Sequence, residues 1–167
     1  MIEFSVVESS LGRIFLVARN RKLIELSISA QGIYTIEKEI LKKYPDARQS
    51  VESFKKVHRM LDRYLKGEYV DFDVETDLSC YSEFVRRVLM KVKEIPYSQV
   101  RSYDWIGKQS GYPRAPRAAG QAVKRNPIPI IIPCHRVIRK DGTIGGFSMG
   151  IEIKRRLLDI EGIKFSE

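Results

Sequence analysis

The sequence predicts an α+β protein with two lobes, and three observations support this prediction. Short β-prone runs fill the first third of the 167-residue chain, whereas helical spacing of apolar residues dominates the remainder. Between them lies the acidic stretch Asp71–Asp77, and the charge balance changes immediately after it. We therefore expect an N-terminal α/β structural domain over residues 1–77 and a mainly helical domain over residues 78–167.

The N-terminal domain is expected to contain a small antiparallel sheet and two helices. Its β-prone runs, separated by turn-like tetrapeptides, are Ile2–Val7, Arg13–Ala18 and Leu23–Ser29. Helical spacing follows over residues 33–44 and 51–66, where apolar side chains recur every three or four positions. A further β-prone run, Tyr69–Val74, is predicted to return to the sheet.

The C-terminal domain is predicted to be mainly helical. The predicted helices are Tyr81–Ile95, Tyr103–Gln109, Ala115–Arg125 and Ile151–Ile160. Ser102 is a favourable N-cap for the second helix, and Gly111 ends it before the third begins. Two short helices joined at a glycine-containing turn are typical of a helix-turn-helix.

The net charge of +9 is concentrated in the C-terminal domain. Lys and Arg balance Asp and Glu up to residue 79, so the entire positive excess follows that point. Residues 105–140 contain eight Lys or Arg side chains and no acidic side chain. Such a surface attracts a polyanion, usually nucleic acid. The alternative is a solvated basic face that serves only solubility.

Several classes of protein are excluded by composition. No apolar run is long enough to span a membrane, and the N-terminus lacks the pattern of a signal peptide. The prediction is an intracellular protein, cytoplasmic or associated with the nucleoid, without a membrane partner. Two cysteines, Cys80 and Cys134, cannot form a disulfide framework, and their spacing does not match a zinc site. We expect no metal.

Cys134 is the candidate nucleophile. It follows an apolar run, 128–132, and is followed directly by His135 and Arg136. A thiol reacts as its thiolate, which a nearby base favours. Because adjacent side chains of an extended chain point in opposite directions, His135 would reach the thiol through a turn or a water. Glu161 is the carboxylate best placed to orient the His. The alternative is a buried cysteine that acts as a small apolar side chain.

Residues 126–137 resemble the active-site signature of the O6-alkylguanine-DNA alkyltransferases, also called methylated-DNA–protein-cysteine methyltransferases. The similar motifs are Asn126-Pro127, Pro133-Cys134-His135-Arg136-Val137, Ser102-Tyr103, Arg117-Ala118-Ala119-Gly120, Gly145-Gly146-Phe147-Ser148, Lys154 and Glu161-Gly162. The resemblance covers about residues 80–165. The N-terminal part is similar only in length and strand-rich character, and the family implies a ribonuclease-H-like fold for it.

The resemblance implies a cofactor-free, single-turnover methyltransferase that acts in DNA repair. Cys134 would accept the alkyl group from O6-alkylguanine and become an S-alkylcysteine, with O4-alkylthymine as a second candidate substrate. His135 would act as a base through a water, and Glu161 would orient its ring. Asn126 would brace the turn that carries the cysteine, and Tyr103 would donate a proton to the departing guanine.

The resemblance also implies the partner, double-stranded DNA that contains O6-alkylguanine, bound by a monomer or by a cooperative assembly on DNA. Arg117 would enter the base stack in place of an extruded nucleotide. The remaining residues implied to lie at the DNA are Arg114, Ala118, Ala119, Gly120, Lys124 and Arg125. Those implied to contact the substrate base are Val137, Phe147, Ser148 and Met149. Phe147 and Met149 depart from the common family pattern, which has Tyr and a small or variable residue there.

Two other function classes fit parts of the sequence. A non-catalytic protein that recognises alkylated bases and recruits other repair factors would explain the basic region, but the presence of Cys134 argues against it. A thiol hydrolase built on Cys134, His135 and Glu161 would explain the reactive residues but not the acid-free basic region. Turnover distinguishes the hydrolase, because it releases many products per protein molecule.

Overall fold

The computed structural model describes residues 1–165 and divides the chain into two compact units, Met1–Asp77 and a second that begins at Leu78. The first unit contains a four-stranded sheet in the order β3-β2-β1-β4. Its strands are β1 (Ile2–Ser9), β2 (Gly12–Arg19), β3 (Lys22–Ser29) and β4 (Arg48–Gln49). The three predicted β-prone runs are confirmed as β1, β2 and β3.

The hairpin between β2 and β3 turns within two residues. Asn20 and Arg21 both adopt positive φ angles, 49° and 66°. Two consecutive residues in this conformation match the right-handed twist of the flanking strands, which favours a tight antiparallel hairpin. The strands β1 and β2 pair antiparallel over their full eight residues.

The predicted fourth strand, Tyr69–Val74, is wrong. The backbone N–H groups of Asp73 and Val74 donate to carbonyls two residues earlier, so this run satisfies its hydrogen bonds locally instead of in a ladder. Contact with the sheet occurs later, through a single parallel bridge between Leu23 and Thr76. The fourth strand is β4, which pairs parallel with β1 and makes the sheet mixed rather than purely antiparallel.

Two helices accompany the sheet, α1 (Ile33–Lys43) and α2 (Lys55–Leu65). Ile36 and Ile40 of α1 are buried and form one apolar cluster with Phe4 and Val17 of the sheet. The first turn of the predicted helix 51–66 is a separate 3-10 turn, Glu52–Phe54, which leads into α2.

Between residues 78 and 165, the second unit contains four α-helices and one pair of two-residue strands. The helices are α3 (Glu83–Lys93), α4 (Tyr103–Gln109), α5 (Pro116–Lys124) and α6 (Ile151–Ile160), and the strands are β5 (Arg101–Ser102) and β6 (Val137–Ile138). All four predicted helices are present. The parallel pairing of β5 with β6 was not predicted, because two-residue strands leave no periodic pattern. With the sheet unit and the helical unit, the predicted α+β class is confirmed.

Helices α4 and α5 approach closely because small residues lie between them. A Cβ atom added to Gly107 would lie 3.6 Å from the Cβ of Ala119 and 3.3 Å from the carbonyl oxygen of Tyr112. Gly111, with a φ of 90°, ends α4 in the left-handed region that favours glycine. The two helices and their glycine turn form the predicted helix-turn-helix arrangement.

Over the residues that the structure describes, no helix combines the length and apolarity needed to cross a membrane.

Replacing the N-cap of α4 should destabilise the helical unit. The Ser102 hydroxyl accepts a hydrogen bond from the backbone N–H of Trp105 at 3.1 Å. We expect Ser102→Ala to lower the free energy of unfolding by about 1 kcal/mol, and Ser102→Asp to retain most of it, since Asp also caps helices. Urea denaturation measures both variants. Equal losses in the two variants would contradict a capping role.

Candidate active site

The candidate nucleophile follows a buried turn that Asn126 holds at both ends. The Asn126 side-chain amide donates to the carbonyl of Ile132 at 2.8 Å, and its oxygen accepts from the N–H of Ile128 at 3.0 Å. The N–H of Ile132 also donates to the carbonyl of Ile128 at 2.9 Å. Within this turn Ile130 has a φ of 72°, an unfavourable conformation for a β-branched residue. The turn therefore fixes the position of Cys134.

The Cys134 thiol is almost completely enclosed, with 4% of the residue exposed. Burial raises its pKa to about 11, although a hydrogen bond from Asn126 and the charge of Lys154 oppose this increase. At neutral pH Cys134 is consequently a thiol, and its conversion into a nucleophile requires a base.

The candidate base is the next residue in the sequence, His135. Cys134 and His135 lie in one 3-10 turn, Cys134–Arg136, so their side chains are not directed to opposite sides as they would be in an extended chain. The Nε2 atom of His135 lies 2.7 Å from Oε1 of Glu161, and both side chains are buried. Because a carboxylate only accepts, this contact assigns the ring proton to Nε2 and makes buried Nδ1 the proton-accepting nitrogen. Burial lowers the pKa of His135, so the imidazole is neutral.

Besides His135, Glu161 binds a second buried side chain, that of Arg136. Arg136 donates from Nε to Oε2 at 2.9 Å and from Nη2 to Oε1 at 2.8 Å, and the backbone N–H of Ser98 donates to Oε2 at 3.1 Å. Burial alone would raise the pKa of Glu161, but the hydrogen bonds from His135 and Arg136 lower it to about 2. Glu161 is therefore a permanent carboxylate. The sequence analysis counted Arg136 among the basic residues of the acid-free region and did not predict its ion pair with Glu161.

Lys154 is a second buried cation that the sequence analysis did not include among the site residues. Its ammonium group is fully enclosed and donates to the carbonyls of Val137 at 2.6 Å and Gly146 at 3.1 Å. Burial lowers its pKa to about 8, while the nearby Cys134 opposes the decrease. A lysine on the buried face of α6, three residues before Leu157, was the signal that could have identified it.

Tyr103, the first residue of α4, is held between two glycines. Cβ atoms added to Gly120 and Gly145 would lie 3.6 Å and 3.3 Å from its ring. The hydroxyl donates weakly to the carbonyl of Gly146 at 3.4 Å, and Lys154 Nζ lies 5.9 Å from the ring centroid. Burial and the nearby Cys134 raise the pKa of Tyr103, so the phenol retains its proton at neutral pH.

A cleft of about 630 Å³ opens beside Tyr103. Its lining residues are Tyr103, Asp104, Pro116, Arg117, Gly120, Gln121, Lys124, Arg139, Lys140 and Gly146. Four of them are cationic, whereas the acidic one, Asp104, forms an ion pair with Lys108 at 2.8 Å. The cleft therefore presents a net positive surface next to the phenol.

The predicted DNA-contacting residues differ in their exposure and in whether they line the cleft. Arg117 and Lys124 are exposed and line the cleft, whereas Arg114 and Arg125 are exposed elsewhere on the helix-turn-helix. Ala118 is exposed, but the expectation for Ala119 is wrong: it is completely buried. Ala119 lies on the inner face of α5 with Ala122 and Val123, and packs on Gly107 of α4.

The predicted substrate contacts divide between the core and a loop. Val137 is fully buried, and one lone pair of its carbonyl is occupied by Lys154. Phe147, Ser148 and Met149 follow Gly146 in the loop before α6, with Ser148 exposed and the other two half-buried. The loop is closed by a hydrogen bond from the N–H of Gly150 to the carbonyl of Phe147 at 3.0 Å.

Among residues 1–165, the structure contains no group of three or more His, Cys, Asp or Glu side chains that could hold a metal ion.

Two family models match the chain. The first is the 6-O-methylguanine DNA methyltransferase, ribonuclease-like domain, over residues 2–78. The second is the 6-O-methylguanine DNA methyltransferase, DNA binding domain, over residues 83–163.

Relatives match over nearly the whole chain. The methylated-DNA–protein-cysteine methyltransferase of Methanosarcina acetivorans is 38% identical over 160 residues, which cover 95% of this chain and 97% of the relative. The crystal structure of Mycobacterium tuberculosis OGT in complex with DNA is similar with a TM-score of 0.82 and 35% identity, over 95% of this chain and 92% of that one. The O6-methylguanine-DNA methyltransferase of Pyrococcus kodakaraensis gives a TM-score of 0.72 and 27% identity, over 98% and 100%.

These matches confirm the resemblance seen around Cys134 and extend it to the N-terminal unit. The chain belongs to the family of methylated-DNA–protein-cysteine methyltransferases, the O6-methylguanine DNA methyltransferases.

Proposed function

We propose that this protein repairs double-stranded DNA by transferring the alkyl group of O6-alkylguanine irreversibly to Sγ of its own Cys134, once per molecule. The observation that carries the proposal is the buried Cys134–His135–Glu161 arrangement in the unit that also contains the basic cleft. The names of the relatives support the reaction class, since they describe methylated DNA and an acceptor cysteine.

The reaction is a displacement at the alkyl carbon. The thiol proton passes through a bridging water to Nδ1 of His135, and the resulting thiolate attacks the carbon. The S–C bond forms as the C–O6 bond breaks, and the electron pair of that bond remains on guanine. Tyr103 gives the departing guanine a proton. His135 then releases the proton that it took from the thiol to solvent, and solvent returns a proton to Tyr103. The protein has no means of hydrolysing the resulting thioether back to the thiol in water at neutral pH, so each molecule reacts once and is consumed.

The buried charges favour this step. Lys154 lies close enough to Cys134 for its charge to oppose the increase in the pKa of the thiol, so it stabilises the developing thiolate. Asn126 contributes in the same direction through its hydrogen bond. Fixed groups of this kind need no reorganisation during the reaction, which makes electrostatic stabilisation effective inside a protein.

The alkylated base has to leave the duplex to reach an enclosed thiol. Unstacking and unpairing a nucleotide costs on the order of a few kcal/mol. Contacts between the cationic cleft and DNA phosphates would offset this cost, with Lys124, Arg139 and Lys140 as the candidate contacts. Arg117, exposed at the second position of α5, would occupy the space left by the extruded nucleotide.

The proposal extends to the setting of the reaction. The protein would act on DNA as a monomer or in a cooperative assembly, in the cytoplasm or on the nucleoid, without a cofactor. O4-alkylthymine is proposed as a second substrate. Phe147, Ser148, Met149 and the carbonyl of Val137 are proposed as contacts of the flipped base.

Mass spectrometry of the protein mixed with a duplex that contains one O6-methylguanine tests the reaction. We expect one added methyl group per protein, on the peptide that contains Cys134. Cys134→Ser should abolish the transfer and retain DNA binding. Cys80→Ser is the matched control, because Cys80 is the other free thiol and is exposed; it should transfer normally. A methyl group on another residue, lesion binding without transfer, or release of many products per protein would each contradict the proposal.

The transfer rate should depend on the protonation of His135. The base must be neutral, and burial lowers its pKa below the ordinary value of 6.5. We therefore expect a constant single-turnover rate from neutral pH down to 6.5 and a decrease at more acidic pH. Above about pH 8 the rate should also fall, because Lys154 loses the charge that stabilises the thiolate. Fluorescence anisotropy at each pH controls for DNA binding. An acidic limb with its midpoint at or above 6.5 would argue against His135 as the buried base.

Methylation should destabilise the protein. Adding a carbon to a buried, well-packed side chain typically costs 1–3 kcal/mol, and Cys134 is 4% exposed. We expect the methylated protein to melt at a lower temperature than the unmodified protein in differential scanning calorimetry. The Cys134→Ser protein, treated with the same DNA, is the control and should not shift. Identical melting temperatures for the methylated and unmodified proteins would be inconsistent with a tightly packed site.

A further inference from the structure

One polar side chain of the cationic cleft has no part in the proposed reaction. Gln121 of α5 is exposed and belongs to the lining of the cleft. Its backbone carbonyl accepts a hydrogen bond from the N–H of Arg125 at 3.2 Å, at the end of the helix. This bond involves the backbone alone, so α5 leaves the carboxamide of Gln121 accessible to a molecule in the cleft.

Gln121 lies on the face of α5 that borders the cleft. The residues of α5 on this face recur at intervals of about one helical turn: Pro116, Arg117, Gly120, Gln121 and Lys124. The residues of the opposite face are buried: Ala119, Ala122 and Val123. Packing of the buried face fixes which side of α5 turns to the cleft, and Gln121 is on that side.

This position is close to the proposed site of base extrusion. A Cβ atom added to Gly120, the preceding residue, would lie 3.6 Å from the ring of Tyr103, so α5 passes directly beside the phenol. Arg117, proposed to replace the extruded nucleotide, precedes Gln121 by about one helical turn. The two positions are about 6 Å apart along the helix axis, which is less than two base-pair steps of about 3.4 Å. With Arg117 in the base stack, Gln121 reaches the base pairs next to the lesion.

The carboxamide of Gln121 is suited to base edges rather than to phosphates. Four cationic side chains of the cleft are available to phosphates, and the acidic residue, Asp104, is paired with Lys108. A carboxamide carries no charge, but it offers both donors and an acceptor. Phosphate oxygens only accept hydrogen bonds, whereas base edges present acceptors and amine donors together. Gln121 therefore has the chemistry of a side chain that contacts bases.

The minor groove is the edge that this arrangement favours. Side chains that unstack bases commonly enter from the minor groove, and Arg117 is proposed to occupy the stack. That groove is about 6 Å wide, and Gly120, which has no side chain, lets the backbone beside Gln121 approach it closely. There every base pair offers acceptors, but only G·C adds a donor, the N2 amine of guanine. A carboxamide in this groove distinguishes G·C from A·T pairs.

We propose that Gln121 contacts the minor-groove edge of a base pair next to the lesion and makes the protein bind O6-alkylguanine more tightly beside G·C than beside A·T. Its Oε1 accepts from guanine N2, and its Nε2 donates to an acceptor that every base pair presents. The inference rests on the proposed function, because it takes DNA as the partner and Arg117 as the residue in the stack.

Replacing guanine by inosine tests this contact, because inosine lacks the N2 amine and keeps the major-groove edge of guanine. The duplex contains one O6-methylguanine with two G·C pairs on each side, and each of these four guanines is replaced in turn. All proteins carry Cys134→Ser, so that no transfer intervenes, and fluorescence anisotropy gives the Kd. 7-Deazaguanine, which lacks the N7 acceptor of the major groove, replaces the same guanines in a parallel series.

The quantity compared is the Kd for the inosine duplex divided by the Kd for the guanine duplex. At one position or more we expect this ratio to be about fivefold larger with Gln121 than in Gln121→Ala, the effect of one hydrogen bond. Any effect of inosine on the duplex itself is common to both proteins and cancels. Lys124→Gln is the matched control: it loses a proposed phosphate contact, so both Kd values should rise by the same factor and the ratio should stay that of the parent.

A purely structural role of Gln121 would change the Kd for all duplexes alike. Equal inosine ratios for the parent and Gln121→Ala at all four positions overturn the proposal, as does discrimination seen with 7-deazaguanine alone. Ala is favourable in an exposed helical position, so the variant should fold. Methyl transfer by the protein with Cys134 intact tests the proposed function separately. Transfer with equal ratios overturns this inference alone, whereas the expected ratios without transfer support the contact and refute the proposed reaction.

Discussion

The organisation of the C-terminal unit depends on one buried carboxylate. Glu161, the residue that follows α6, accepts hydrogen bonds from the 3-10 turn Cys134–Arg136 through His135 and Arg136 and from the segment after α3 through Ser98. It therefore ties together elements that are distant in sequence. Without the Glu161 carboxylate, the Arg136 guanidinium and the His135 ring would be buried with no anion. Such an arrangement is strongly destabilising. The orientation of the His135 ring and the stability of the unit consequently depend on the same carboxylate.

A second feature of the site is a buried thiol that is surrounded by fixed polar and charged groups. Cys134 is kept protonated by burial, yet Lys154 and Asn126 are fixed where they stabilise its anion. Lys154 also binds the carbonyls of Val137 and Gly146, which border the thiol turn and the cleft respectively. One ammonium group thus serves both as an electrostatic element and as a structural link. This combination of enclosure and fixed charge is what a reaction at a single cysteine requires.

Much of this arrangement could be predicted from the sequence, because it depends on local signals. Ser102 as an N-cap, the apolar spacing in α3 and the motif at Cys134 are patterns within a few residues. What escaped prediction depends on packing between distant elements. Ala119 looks like a small residue suited to a groove, but helical phase turns it inward against Gly107. The Arg136–Glu161 pair spans 25 positions, and no local pattern distinguishes an arginine that binds a carboxylate from one that binds phosphate.

The close packing of Tyr103 between Gly120 and Gly145 has a consequence for engineering. A Cβ atom at Gly145 would come within 3.3 Å of the ring and Gly145 needs a positive φ of 74°, so this side of the phenol cannot be rebuilt with a larger residue, whereas a Cβ atom at Gly120 would make an ordinary contact at 3.6 Å. The opposite is true of the loop that contains Phe147, Ser148 and Met149, whose side chains are exposed or half-buried. Substitutions in this loop would therefore disturb the packing of the unit less than a substitution at Gly145, which borders the fixed phenol ring.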